Sequence, residues 1–437
     1  MKKLNILIVS HSFPPFMNVG GMRAYSWAKY WSEAGHNITV ITSKARSEFS
    51  YTATFKIEIP KNVEVIEIEN PLFKYFNKGS GLEKKGKIEL NNQAGWFKKK
   101  VGNIFNIIKN NAPVVDYYFD WYFKSVLYIK KNKKSFSNFD IVISTANPLS
   151  AHSIGMYLKK KFGVKWIADY RDLEEQSKMN DDISWLRRKF ITSFKKRALA
   201  LSDLDITVSK GLKDILLSVR SEDKVEIIYN GFFEENYFEK EEKEGSLDWK
   251  IIYTGTFYKN DFVIKPLFDA LRLIEDSNIP IPDIQFYGIG DPSMKEFIRT
   301  QAKLSLRKKI NFYDSVSNKE IAEIQMNSAM LLLMDGINNK GVLKTKSYEY
   351  LAAQRPIIAI INPESELAQN FLLGLNGYYV GTDVNEIKNF IEKIYNAVIE
   401  EKKISSLSFF EEEKLNYYSR KSQALNLIEQ MKKLENT

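Results

Sequence analysis

The sequence predicts an α/β fold made of two doubly wound, parallel-sheet units in succession. Short apolar runs alternate with segments of helical periodicity along the whole chain. The first run leads through a glycine-bearing loop into a helix and a second run, the order of a right-handed βαβ unit. The alternation then restarts after an acidic, irregular stretch in mid-chain. With 437 residues there is room for two or three domains of about 150 residues each.

Residues 4–10 (LNILIVS) form a buried-strand run, followed by a loop with Pro14, Pro15, Gly20 and Gly21. Residues 22–34 carry apolar side chains at helical spacing, and HNITVIT after Gly35 is the second strand. This order places the glycine pair at the C-terminal edge of a parallel sheet, where such folds bind ligands. Strands recur at 63–68, 140–144, 164–168 and 204–208, with a helix over 150–162. VEIIYNG (225–231) precedes the acidic stretch EENYFEKEEKEGSLD, which marks the domain junction before KIIYTG. Strands are then expected at 250–254, 283–288, 309–313, 329–334 and 356–361, and helices at 266–275, 293–302, 318–327, 344–353 and 384–399. The first domain is read as 1–228, the second as 229–414, and a last helix (415–437) as crossing back onto the first. Two such units make a cleft between their sheets.

Hydrophobic residues make up 44% and charged residues 27% of the chain, the profile of a soluble globular protein. The absence of cysteine excludes disulfides, thiolate zinc sites and cysteine nucleophiles, and fits a reducing, cytoplasmic compartment. Three histidines, His11, His36 and His152, leave little for a metal cluster. No run approaches the ~18 apolar residues of a membrane span, and MKKLNILIV reads as a first strand rather than a leader. The net charge of +10 is local. Residues 96–134 hold nine lysines against two aspartates, and 185–197 hold six Lys/Arg with no acid. In WFKKKVGNIFNIIK (96–109) the apolar residues share one helical face, and WLRRKFITSFKKR (185–197) repeats the theme. Basic amphipathic helices with Trp and Phe suit an anionic membrane surface; a core-facing helix with a solvated back is the plain alternative. No nucleic-acid recognition module accompanies the charge.

The pattern PP, four residues, GG, one residue, Arg23, then GHNITVIT resembles the start of glycosyltransferase family 4, whose members adopt the two-domain GT-B fold. More blocks agree in order: DIVISTANPLSAHSIG (140–155), WIADYRD (166–172), SDLDITVS (202–209), VEIIYNG, IIYTGT (251–256) and KSYEYLAAQRPIIAI (346–360). The ADYRD form resembles the bacterial subgroup that builds surface polysaccharide. The resemblance implies transfer of a sugar from a nucleotide-sugar donor to a saccharide or lipid-linked acceptor, with retention and without a metal or other cofactor. With the basic stretches 96–134 and 185–197, the chain is read as a cytoplasmic enzyme, peripheral on the inner face of the membrane.

Backbone N–H groups at Gly20 and Gly21 are open to an oxygen-rich ligand, and in the family this loop lies by the donor sugar and phosphates; a tight turn is the plain alternative. Arg23 is either an acceptor-side or phosphate contact or a salt-bridge partner. WIADYRD ends a buried strand with Asp169, Arg171 and Asp172, the catalytic candidates. In related transferases a His-Asp pair often stands there; Arg171 and Asp172 replace it, which removes any role for a neutral imidazole. An Asp–Arg pair that fixes the loop is the alternative. His152, beside this site in the family pattern, reads more readily as a satisfied, partly buried histidine. Lys344 and Lys346 at a helix start suggest a bound anion, because cations there are unfavourable alone. Glu349 stands where the family's second Glu of a Glu, seven residues, Glu motif binds the donor ribose, and the first falls on Gly341. The IIYTGTFYK segment offers Gly255 and Lys259 to the donor diphosphate, where a retaining transfer leaves charge to be neutralised.

Two decoys stand beside these. YGIGDPS lacks the third glycine of a dinucleotide fingerprint. The acids of DLD (203–205) sit at the entrance of an apolar strand rather than in a metal site. Two other readings of the chain stay open: a non-catalytic nucleotide-sugar-binding scaffold subunit, and a sugar-nucleotide epimerase of similar architecture.

Overall fold

A strand that is apolar at every position has no side to offer water, so it belongs in the middle of a sheet covered on both faces. The computed structural model describes residues 2–17, 19–44, 55–70, 115–116, 118–171, 184–238, 247–255, 264–275, 277–335, 343–400 and 404–435. The chain divides into two units. The first takes Met1–Thr207, Lys213–Ile228 and Ala424–Thr437; the second takes Val208–Leu212 and Tyr229–Gln423.

In the first unit the strands are β1 (Asn5–Val9), β2 (Phe16–Met17), β3 (Asn37–Ser43), β4 (Phe55–Lys56), β5 (Val63–Ile68), β6 (Ile141–Ala146), β7 (Lys165–Tyr170), β8 (Leu204–Thr207) and β9 (Val225–Ile227). Seven of them form one sheet in the order β5-β3-β1-β6-β7-β8-β9, while β2 and β4 pair as a separate antiparallel ribbon. Every ladder of the large sheet is parallel, as strands joined by helical crossovers must be. The strand β1, apolar and buried from Ile6 to Val9, lies between β3 and β6, with Ile6 opposite both Ile38 and Ile141. At the edge, β5 is less buried and exposes Glu64 and Glu67, one on each face, and such charges protect an open strand from pairing elsewhere. The crossovers include α1 (Met22–Glu33), α2 (Phe119–Lys131), α3 (Ser150–Phe162) and α4 (Trp185–Leu201).

The second unit repeats the scheme with β10 (Asp248–Thr254), β11 (Asp283–Tyr287), β12 (Ile310–Tyr313), β13 (Ser328–Met334), β14 (Ile357–Ile360) and β15 (Tyr378–Val380) in the order β12-β11-β10-β13-β14-β15, again all parallel. Successive strand residues face opposite ways. Met330, Leu332 and Met334 of β13 therefore join one core, with α5 (Lys265–Ile274), α6 (Pro292–Gln301) and α9 (Val384–Ile394). Leu331 and Leu333 join the other, with α8 (Thr345–Ala352) and Phe371. The helix α7 (Asn318–Met326) precedes β13 and contributes Ala322 to that second core.

The apolar runs fall where the sequence predicts strands. Some details differ. The strands β2, β4, β9 and β15 are not among those expected, because two or three residues carry no readable period, and neither is the helix α2. The expected helix over 384–399 keeps α-helical spacing only to Ile394 and finishes as a wider π turn, Tyr395–Glu400. The last helix, α10 (Arg420–Glu435), divides at residue 424, and its later part packs in the first unit, where Trp31 donates its indole N–H to the Ala424 carbonyl at 2.8 Å. In each sheet the strand order reverses beside the first strand, between β1 and β6 and between β10 and β13. Crevices at such switch points are where open α/β sheets bind ligands.

Candidate functional site

At the switch point of the first unit, register decides which side chains meet. In the β6–β7 ladder Thr145 lies opposite Asp169 and Ser144 opposite Ala168. Thr145 and Asp169 point to the side covered by α1, and the hydroxyl donates to Asp169 Oδ2 at 2.7 Å. Arg23, early in α1, reaches the same carboxylate from above, its Nε 3.1 Å from both oxygens and its Nη2 3.0 Å from Oδ1. Both partners are shut away from solvent, Arg23 at 3% exposure and Asp169 at 0%. The guanidinium also stands 4.8 Å over the Trp27 ring. Arg23 is not exposed toward an acceptor, and the Asp169 carboxylate is occupied by the protein itself; the plain salt-bridge reading describes them.

The opposite face of β7 carries Trp166 and Tyr170, with His152 of α3 between them at ring distances of 6.1 and 4.7 Å. The Trp166 indole N–H donates to Ser144 Oγ at 2.8 Å, and that hydroxyl meets His152 Nδ1 at 2.8 Å. Burial pulls the His152 pKa down to about 3, so the ring is neutral. His152 is fully buried. As the third residue of α3, it faces the sheet.

Arg171, just past β7, behaves differently. Its Nε donates to the Ala146 carbonyl at 3.2 Å, and its guanidinium fills the space beside Gly20, where a Cβ would stand 2.5 Å from Nη1. A side chain at position 20 would therefore make the Arg171 guanidinium move. Gly21 has an ordinary helical φ of −77° and opens α1 without a side-chain cap. Together with Ser10, His11, Ser12, Tyr118, Thr145, Asn147 and Pro148, Arg171 and Gly20 line a pocket of about 230 Å³. His11 packs its ring edge-on to Tyr118 at 4.2 Å and Trp121 at 5.2 Å. Its Nε2 stands 3.0 Å from the Asn70 amide nitrogen, which can only donate, and lost hydration pulls the His11 pKa down to about 3. The buried Asp116 fixes this wall, accepting from the Ser150 N–H at 2.6 Å, the Ser150 hydroxyl at 2.5 Å and the Tyr118 N–H at 2.9 Å. Sequence reasoning missed His11, Tyr118, Thr145 and Asn147. HSFPP directly follows β1 and NP directly follows β6, and that position beside a switch point was the available signal.

In the second unit Gly255 ends β10 at φ +104°, a conformation that excludes a side chain without strain. The Thr254 N–H, one residue earlier, donates to the Tyr350 hydroxyl at 2.9 Å, which holds the turn. Lys346 of α8 extends to this turn. Its Nζ donates to the Tyr253 hydroxyl at 2.8 Å, lies 4.0 Å from the centre of that ring, and would stand 3.8 Å from a Cβ on Gly255. Lost hydration and the neighbouring Lys344 lower the Lys346 pKa to about 7. Lys344 pairs with Asp335, which follows β13, at 2.7 Å. Burial pushes the Glu349 carboxyl up, against the pull of Arg420 and Lys346. Gly255 and Lys346 are therefore close together at the β10–β13 switch point, and Glu349, three residues on along α8, interacts electrostatically with Lys346. Lys259, Asp172 and Gly341 lie outside the described residues.

The DLD acids serve the backbone. Asp203 accepts from the Trp166 N–H and from Lys159, both at 2.7 Å, and Asp205 pairs with Arg220 at 2.8 Å. Among the described residues, no group of three or more His, Asp or Glu could hold a metal ion, and no helix is long and apolar enough to cross a membrane.

Comparison with known proteins adds the following. The family model described as Glycosyltransferase Family 4 matches residues 97–235. No curated protein matches the sequence. Among solved structures, sucrose-phosphate synthase from Thermosynechococcus elongatus superimposes with a TM-score of 0.62 at 13% identity, over 99% of both chains. Anabaena HepE in complex with UDP and glucose gives 0.60 at 13%, over 98% of this chain and 100% of that one. WaaG, a glycosyltransferase involved in lipopolysaccharide biosynthesis, gives 0.54 at 11%, over 96% and 94%. At these identities the likeness is one of fold, and the fold is GT-B.

Proposed function

We propose, for a chain whose residues 97–235 belong to glycosyltransferase family 4 and whose two units carry the GT-B fold, that it transfers a sugar from a nucleotide-sugar donor to a saccharide or lipid-linked acceptor, with retention and without a metal, in the assembly of surface polysaccharide. The arrangement of Gly255, Lys346 and Tyr253 carries this reading: a glycine turn at a switch point beside an ammonium group. Such a turn lets a diphosphate approach the backbone, and the ammonium neutralises the charge that develops on the departing diphosphate. Glu349 holds the donor ribose, Lys259 adds a second cation, and Gly20, Gly21, Arg171 and Asp172 serve the sugar and acceptor. Complexes of HepE with UDP and with UDP-glucose support a nucleotide-sugar donor, and WaaG supports the surface-glycan setting.

Purified protein incubated with UDP- and GDP-sugars and a lipid extract should release nucleoside diphosphate only when the acceptor fraction is present. Turnover of donor alone would favour an epimerase, and binding without turnover a scaffold.

The membrane-surface reading belongs here as well. The helix α4 leaves Trp185 at 68% and Leu186 at 63% exposure, with Lys189 Nζ 5.2 Å over the Trp185 ring. On α2, Phe123 is 59% exposed next to Lys124. Apolar side chains interleaved with cations favour an anionic interface, each cation adding about 1 kcal/mol. The protein should float with anionic liposomes and stay behind with neutral ones; equal partitioning would count against the proposal. The lysine-rich helix expected over 96–109 lies outside the described residues.

A further inference from the structure

The ladder between β10 and β13 ends at Ile252 opposite Leu331. Two residues on, the Thr254 N–H goes to the Tyr350 hydroxyl of α8 at 2.9 Å, in the place of a strand carbonyl. The Gly255 N–H keeps to the sheet and donates to the Tyr287 carbonyl of β11 at 2.9 Å. Lys346 and Tyr350 stand one turn apart on α8 and so share a face. Tyr253 belongs to one core of this unit and Tyr350 to the other, so α8 holds the end of β10 on both faces. Tyr350 accepts from the Thr254 N–H, while Lys346 donates to the Tyr253 hydroxyl at 2.8 Å. Behind Tyr350 lies a buried polar row. The Tyr237 hydroxyl donates to Gln325 Oε1 at 2.8 Å, Gln325 Nε2 to Thr254 Oγ1 at 3.4 Å, and Thr254 Oγ1 to the Tyr350 hydroxyl at 3.3 Å. Gln325 and Tyr350 are both shut off from solvent, and the other buried residue of α7, Ala322, joins the core with Ile252 and Leu331. Packing there would be served by an apolar side chain, since burying an amide costs desolvation that its hydrogen bonds only offset. What the amide adds is a fixed place for the Thr254 hydroxyl, next to the glycine turn.

We infer that Tyr350 and Gln325 are positioning residues for the donor diphosphate: through Thr254 they set the backbone at Gly255, and with it the place where the Lys346 ammonium meets the phosphates. The inference rests on the donor-site reading of Gly255 and Lys346 and names the residues that hold that same site. Neither Tyr350 nor Gln325 touches the ligand. The charged groups that act on Lys346 are Lys344 and Glu349 on α8 and Asp335 after β13, and lost hydration outweighs them. Loosening the turn readmits water to the ammonium, so its titration moves to higher pH.

Binding of UDP and of GDP to the full chain should be measured by calorimetry between about pH 6 and 9, the range in which the Lys346 ammonium titrates. Tyr350→Phe keeps the ring and removes the acceptor of the Thr254 N–H. It should weaken nucleotide binding at pH 7 by about tenfold and move the alkaline decline in affinity to higher pH. A merely structural loss would lower the melting temperature and scale affinity equally at every pH, leaving the shape of the profile as in the parent. Gln325→Met should shift both quantities in the same direction, by about threefold in affinity, which keeps a readout if Tyr350→Phe fails to fold. Thr254→Ser retains the hydroxyl and should bind as the parent does, whereas Thr254→Val should behave as Gln325→Met. Parental affinity and pH profile in both Tyr350→Phe and Gln325→Met, or weaker binding with the profile unmoved, would overturn the inference. A parent that binds neither nucleotide sinks the donor-site reading as well, whereas parental binding with indifferent variants sinks the positioning role alone.

Discussion

Asp169→Ala should lower folding stability by about 3–5 kcal/mol, because it leaves the Arg23 guanidinium buried without its counter-charge. Against a typical total of about 5–15 kcal/mol this is a large share, and urea denaturation will resolve it as a lower midpoint. Asp169→Asn should be nearly as costly. The amide can still accept from the Thr145 hydroxyl, but it cannot neutralise Arg23. The double variant Arg23→Met with Asp169→Leu removes both charges and keeps apolar volume beside Trp27, so most of the loss should return. A catalytic Asp169 predicts a different pattern: activity lost with the denaturation midpoint of Asp169→Ala unchanged. That result would contradict the geometry described above.

This pair also marks where the sequence stops being readable. Both residues stood out as polar groups at the ends of buried elements, yet 146 positions separate them. Their meeting depends on β7 lying two places from β1 and on α1 crossing that face, which is a property of strand order. The strands themselves were legible because a parallel central strand is a nearly continuous apolar run, as in ILIV (6–9) and AMLLLM (329–334). The short β15 was not, since three residues show no period. His152 was already legible as a partly buried histidine, and the β7 alternation, which puts Trp166 and Tyr170 on its side, buries it fully. The pocket at His11 and Tyr118 joins segments more than a hundred residues apart through a single register, and no local pattern announces it. Lys346, in contrast, was marked by its own neighbourhood, two lysines at a helix start.

Lys346→Met is expected to weaken nucleoside diphosphate binding by about tenfold to a hundredfold while making the ligand-free protein more stable near neutral pH. The first effect is the loss of a charge-assisted contact. The second follows from linkage. The folded pKa of Lys346 is about 7 against an ordinary value of 10.5, lowered by lost hydration and by Lys344 and only partly restored by Asp335 and Glu349. Between those values the unfolded chain binds more protons than the folded one, so the parent gains stability as pH rises through that window. Methionine has no such proton to lose. The variant's advantage, about 1 kcal/mol or more at pH 7, should therefore shrink as pH approaches 10.5. Ligand binding has the opposite pH trend. A diphosphate pairs with the ammonium form and raises its pKa, so parental affinity should fall above pH 7 by up to about tenfold per unit, whereas the variant's should be flat there. The ligand's own last ionisation, near pH 6, is complete by then and cannot produce the decline. Titrations between about pH 6 and 9, read by calorimetry beside thermal melts without ligand, test both effects. Affinity independent of pH in the parent, or a Met variant that binds as the parent does, would show that the Lys346 ammonium does not meet the diphosphate. A stabilised variant that no longer binds would mean that this lysine is kept, at a cost to the fold, for the charge it presents to the ligand.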